Sequence, residues 1–210
     1  MKTISITKNW IEGDCPEVHK NIHEKNVNIT IWNRAIHEFE EEINTLLNAD
    51  IHLNLSGNKE IILSKMKEVI SVDKFPIIFK DIEYLLSLFK EVTNASSFRF
   101  LLGTVQTNMC RKFHADANDL RLLCTYEGLG TLWLTDDNIN KEALKNRAGN
   151  DMIVVDESKI KEAETGSVII LKGTKYPENN ENAVVHKSPM IEHHIEKRLL
   201  FRIDTNQFLK

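Results

Sequence analysis

Glycine and proline are scarce in this 210-residue chain, 8 and 4 in all. That excludes a collagen-like repeat, low-complexity disorder and a mucin-like stalk. Cysteine is scarcer still. Cys15, Cys110 and Cys124 are an odd number at irregular spacing with no CxxC pair, which argues against a secreted disulfide framework. No run reaches the roughly 18 apolar residues of a membrane span. The longest candidate, Phe75 to Phe89, is broken by Lys80, Asp81 and Glu83. The start, MKTISITKNWIEGD, offers no apolar signal-peptide core. A soluble, cytoplasmic protein of a reducing compartment is the expectation. Neither sign of charge dominates: 27 Lys and Arg face 31 Asp and Glu, a net charge of −4. No basic stripe of the kind that binds nucleic acid stands out.

What is present is ordinary globular material, 41% hydrophobic and 28% charged, enough to bury a core without disulfides. The chain divides into unlike halves. Up to about residue 94 the apolar residues recur at three- and four-residue steps. Ile36, Phe39, Ile43, Leu46 and Leu47 form one stripe, and Ile61, Ile62, Met66 and Val69 a second. Ile78, Ile82, Leu85, Leu86 and Phe89 form a third, behind a helix start at Asp73 and Pro76. Ile29–Trp32 reads as a short strand between them. From about residue 97 the period shortens. Strand-like runs cover 98–105, 120–126, 131–134, 167–171, 183–186 and 198–204, with one inserted helix near 138–146. The expectation is an α+β fold in one domain: a mainly helical layer over 1–94 bracing a β-sandwich or open barrel over 95–210.

Chemistry concentrates in Phe113-His114-Ala115-Asp116. On an extended segment, positions i and i+2 face the same side, so His114 and Asp116 are expected together. His186, 72 residues later, offers a third ligand. Two imidazoles and one carboxylate leave three positions of an octahedral metal open, the donor set of non-haem Fe(II) oxygenases. H-x-D alone is a common surface pair, so the surrounding order matters. The same period sets Arg198 and Arg202 on one face of the last strand and Leu199, Phe201 and Ile203 on the other. An inward arginine needs an anion, and its fork fits a carboxylate; a salt bridge to Asp204 or Glu196 is the alternative. Tyr126 closes the strand after the H-x-D. Cys15, His19 and His23 are spaced for one helical face, read here as a solvated amphipathic turn rather than a zinc site. His193-His194 reads as an exposed turn.

The order of these segments is similar to that of the 2-oxoglutarate/Fe(II)-dependent dioxygenases. It runs H-x-D, a strand to Tyr126, the Gly128-Leu129-Gly130-Thr131 turn, Thr165-Gly166-Ser167, His186, and a strand from Arg198. The resemblance covers roughly residues 97–205. It implies a double-stranded β-helix (jelly-roll, cupin-like) and a dioxygenase that binds Fe(II) through His114, Asp116 and His186. It also implies 2-oxoglutarate as a small-molecule cosubstrate, its distal carboxylate on Arg198, with Arg202 in reserve, and a hydrogen bond from Tyr126. The segments Ile31-Trp32-Asn33-Arg34, Cys110 to Asp116, Leu120 to Tyr126 and Val185 to Pro189 resemble an uncharacterised bacterial family, DUF1826, which implies no reaction. The alternative function is a non-redox metal protein holding zinc, with Cys110 or Cys124 as a softer ligand.

Overall fold

This computed structural model describes residues 8–177, 183–191 and 197–205. The chain opens with β1 (Trp10–Gly13), a 3-10 helix (Pro16–His23) and β2 (Ile29–Trp32). Then come α1 (Glu40–Asn48), β3 (His52–Gly57), α2 (Lys59–Val69) and α3 (Pro76–Thr93). The strand-rich half holds β4 (Phe98–Val105), β5 (Leu120–Glu127) and β6 (Leu132–Leu134). It continues through α4 (Lys141–Lys145), α5 (Asn150–Ile153), β7 (Lys161–Glu162), β8 (Val168–Lys172), β9 (Val185–Lys187) and β10 (Arg198–Thr205). Among the described residues no helix is long and apolar enough to cross a membrane.

Two sheets result. Seven strands pair in the order β1-β2-β8-β5-β10-β4-β3, and three in the order β7-β6-β9. The large sheet is two-faced because its strands alternate. Leu199, Phe201 and Ile203 of β10 join Phe98, Phe100 and Leu102 of β4 beneath the helices. Leu200 belongs to a second core with Leu123, Ile169 and Trp133, between the two sheets. Ile78, Ile82, Leu85, Leu86 and Phe89 of α3 are completely buried on the helical side. Each such side chain contributes about 1.5–3 kcal/mol of burial, so α3 anchors the helical layer.

Several sequence expectations need correction here. The N-terminal part is not only a helical layer. β2 pairs with β8 and β3 with β4, so three of its strands extend the large sheet at both edges. In α2 the inward residues are Ile62, Leu63 and Met66, while Ile61 and Val69 face solvent. Asp73 does not cap α3. Pro76 takes the first turn, and the carboxylate of Glu42 from α1 accepts from the backbone N–H of Ile77 (3.0 Å) and Ile78 (2.8 Å). The cap is tertiary, which satisfies the orphan donors of a helix start just as a local side chain would. The single helix expected near 138–146 is a 3-10 turn (Asp136–Asn138) followed by the short α4.

Cys15, His19 and His23 do not share a face, because Pro16–His23 winds as a 3-10 helix with three residues per turn. His23 bonds the Tyr176 hydroxyl and the Val92 carbonyl. His19 is fully buried, its Nδ1 2.9 Å from Thr30 Oγ1, and its Nε2 has no hydrogen-bond partner. Burial pushes its pKa down to about 4. The unfolded chain takes up this proton near 6.5, so between the two values the unfolded state binds more protons. Stability from this site is complete above pH 6.5 and falls as pH drops towards 4, by about 3 kcal/mol in all. Urea melts at pH 7.5 and 5 are expected to show about 2 kcal/mol of acid destabilisation in the wild type that His19→Gln lacks. Equal pH slopes in the two proteins would contradict this.

Candidate metal centre and anion pocket

His114 and His186 are brought together by backbone pairing. Each N–H donates to the other's carbonyl, at 3.0 and 2.9 Å, adding a single bridge at the edge of the small sheet beside β9. The imidazole centroids lie 4.8 Å apart. His114 Nδ1 sits 2.9 Å from the Lys112 carbonyl and His186 Nδ1 3.3 Å from the Val184 carbonyl. Carbonyls only accept, so Nδ1 of each ring bears a proton and Nε2 turns inward. Both Nε2 atoms face Asp116, at 3.5 Å from Oδ1 and 3.3 Å from Oδ2. The three donor atoms lie within 4.8 Å of one another.

The segment is not the strand that the i, i+2 argument assumed. Apart from the bridge at His114, Cys110 to Ala117 is irregular. Asp116 is held by a side chain instead. Arg121, on β5, pairs with Asp116 through one terminal nitrogen and with Asp204 Oδ1 through Nε at 2.6 Å. Burial alone would raise the Asp116 carboxyl, but hydrogen bonds from both histidines and the charges of His186 and Arg121 hold it well below the usual range. Hydrogen bonds to Asp116 and Cys110 push His114 up to about 10. Without a metal, a proton on His114 supplies the positive charge that this carboxylate attracts. A divalent cation would take that place and release the proton. The donor set fits Fe(II) or zinc: two borderline nitrogens and one carboxylate, with each ring fixed from behind by a carbonyl.

A narrow cavity beside the triad is lined by His114, His186, Thr131, Leu200, Arg198 and Arg202. Arg198 is only 1% exposed. Its Nη2 donates to Thr125 Oγ1 at 3.0 Å, its Nε has no partner, and no carboxylate among the described residues comes within ion-pair distance. Burial lowers its pKa to about 10, with Glu162 offsetting only part of that. Gly128 makes room for it. At φ +84° a side chain is strained, and a Cβ there would sit 2.8 Å from Arg198 Cγ. Arg202 lies 3.3 Å from Asp204 Oδ2. The alternative salt bridge of Arg198 to Asp204 is therefore not made; Glu196 and His193-His194 lie outside the described residues.

Tyr126 stands elsewhere. β5 turns Leu122, Cys124 and Tyr126 to the helices and Arg121, Leu123 and Thr125 to the cavity. The Tyr126 hydroxyl donates to Asp81 at 2.6 Å, across the sheet from the triad. From this strand it is Thr125 that reaches Arg198, and the parity of Arg121 was the signal for it. Cys124 is buried beside Arg34, whereas Cys110 lines the cavity. Trp133 packs in the inner core opposite His186.

The fold is that of 2-oxoglutarate-dependent oxygenases. The chain is similar to the 2-oxoglutarate complex of dioxygenase for auxin oxidation 1 from Arabidopsis thaliana, with a TM-score of 0.58 and 10% identity over 95% of this chain and 92% of that one. It is also similar to the rice dioxygenase for auxin oxidation, with a TM-score of 0.57 and 10% identity over 95% and 83% of the two chains. No curated protein matches the sequence. The chain belongs to the family described as protein of unknown function (DUF1826), whose model matches residues 13–204.

Proposed function

We propose that this protein is an Fe(II)/2-oxoglutarate-dependent dioxygenase, its two sheets forming a double-stranded β-helix around the cavity. The observation that carries the reading is Arg198, a buried guanidinium with no carboxylate partner among the described residues, in the cavity lined by His114 and His186 of the His114, Asp116 and His186 cluster. A buried cation of this kind is costly unless an anion completes it. A metal-chelating 2-oxoacid with a second carboxylate would do so. His114, Asp116 and His186 would hold the metal, and Arg198 and Thr125 the distal carboxylate. Arg121 keeps Asp116 facing the two imidazoles. The metal, when bound, supplies oxygen activation coupled to decarboxylation of 2-oxoglutarate, one oxygen atom ending in succinate and the other in an oxidised substrate. The chain's own part is to orient these groups and keep bulk water from the buried guanidinium.

Cys110 favours a second reading. It lines the cavity together with His114, and a thiolate added to the triad would suit zinc in a closed site. Anaerobic titration with Fe(II) and then 2-oxoglutarate separates the two. The dioxygenase is expected to develop the visible charge-transfer band of a chelated 2-oxoacid, absent in His114→Ala. No band, with zinc bound tightly and lost in Cys110→Ser, would replace this reading with the second.

A further inference from the structure

Among the described residues, the guanidiniums around the triad outnumber the carboxylates that touch them. Across β4, β10 and β5 the residues Arg99, Asp204 and Arg121 stand directly opposite one another, and the next row on the same face is Leu101, Arg202 and Leu123. Asp204 is buried and serves three arginines. Arg121 Nε is at 2.6 Å, Arg202 Nε at 3.3 Å and an Arg99 terminal nitrogen at 3.8 Å. Its Oδ1 is already taken by Arg121 and by Asn118 Nδ2 at 2.9 Å, so Arg202 and Arg99 share the more distant Oδ2. Arg202 meets no other carboxylate among the described residues, yet it is partly buried and lines the cavity with His114 and His186.

Charge balance makes this informative. Among the described residues, four guanidiniums (Arg99, Arg121, Arg198 and Arg202) meet only two carboxylates at ion-pair distance, Asp116 and Asp204, and Glu162 adds one more distant negative charge beside Arg198, which leaves one positive charge in excess. A divalent metal adds two positive charges and 2-oxoglutarate cancels those two, so the surplus persists in the loaded site. Distance separates its two parts. Arg198 and Arg202 are four residues apart on one face of β10, about 13 Å along the strand, farther than a five-carbon diacid extends. A cosubstrate seated on Arg198 therefore leaves Arg202 unanswered.

We propose that Arg202, backed by Arg99, is a second anion position in this cavity, and that the substrate oxidised here is a small molecule bearing a carboxylate. This rests on the dioxygenase reading above. Arg202 fixes the end of the substrate next to the triad, and the half-exposed Arg99 draws it in from solvent.

The test uses the protein loaded with Mn(II) in place of Fe(II) and saturated with 2-oxoglutarate, with acetate as the probe and acetamide as its neutral isostere. Paramagnetic broadening of the methyl signal is expected for acetate and not for acetamide. Arg202→Gln should weaken acetate binding about tenfold, the scale of one charge-assisted hydrogen bond, with 2-oxoglutarate affinity, measured by calorimetry, within about twofold of wild type. Retained 2-oxoglutarate binding also shows that the variant folds. Equal broadening by acetate and acetamide, or none by either, overturns the second anion position and leaves the dioxygenase reading standing. A loss of 2-oxoglutarate rather than acetate in Arg202→Gln also overturns it, because Arg202 then serves the cosubstrate. If Mn(II) and 2-oxoglutarate do not bind at all, the dioxygenase reading itself fails.

Discussion

Asp81→Ala is expected to lower folding stability by about 3–5 kcal/mol, the cost of removing one partner from a buried ion pair. Asp81 rises from α3 to receive Arg34 in a fork, at 2.5 Å to Oδ1 and 2.9 Å to Oδ2, and the Tyr126 hydroxyl at 2.6 Å. Arg34 completes its bonding with the Gly166 carbonyl at 2.9 Å and stacks 4.9 Å from the Trp32 ring. Side-chain exposure is 11% for Arg34 and 9% for Asp81, so water does little to screen the pair. Without the carboxylate, the guanidinium keeps only the Gly166 carbonyl and the Cys124 sulfur, and the phenol loses its acceptor under the helical layer. The double variant Arg34→Met/Asp81→Leu removes both charges and is expected to recover most of the loss. Urea melts of the two single variants and the double variant measure the coupling. Additive losses would show that the pair contributes nothing beyond packing.

This network marks where reading the sequence succeeds and where it stops. Trp32, Asn33 and Arg34 stand out as a motif, and the α3 stripe is visible from its spacing, since local period and burial coincide there. What joins them is a contact 47 residues apart, and no local pattern announces it. The Glu42 cap on α3 is hidden for the same reason. Edge strands also escape. β3 alternates Leu53 and Leu55 with polar residues over six positions between two helices, too short to break a helical reading. Within the site, residue types point to His114, Asp116 and His186, although the segment from His114 to Asp116 is irregular and not the strand its spacing suggests, while strand parity sets Arg198 and Arg202 on one face of β10, and the fold sets both arginines in the cavity beside the two histidines. The cosubstrate role that the resemblance implies for Tyr126 does not follow from strand parity, which groups Tyr126 with Leu122 and Cys124 towards the helices, where its hydroxyl is satisfied by Asp81. Arg121, on the same strand, has no role that local pattern reveals. Its role depends on Asp116 and Asp204, which only the folded chain brings to either side of it.

Arg198→Met is expected to shift stability and ligand binding in opposite directions. In the ligand-free protein Arg198 is a buried charge with one hydroxyl partner and no carboxylate at hand among the described residues. Exchanging buried charges for an apolar side chain of similar size is often stabilising, here by about 1–2 kcal/mol. The same exchange removes the group proposed to hold the distal carboxylate of 2-oxoglutarate, at a cost of about 3–5 kcal/mol, or a hundredfold and more in affinity. Metal affinity should not move, because Arg198 touches none of the three donor side chains among its described contacts. The order of stabilities should therefore reverse with ligand. At 2-oxoglutarate one hundred times its dissociation constant the wild type gains about 2.7 kcal/mol, and the variant gains almost nothing. Denaturant melts of both metal-loaded proteins, with and without 2-oxoglutarate, read the crossing directly. A variant weaker than wild type under both conditions would make Arg198 a structural residue. The crossing would show instead that its burial without a counter-ion is a cost the fold carries for the sake of binding, as sites poised for a ligand tend to do.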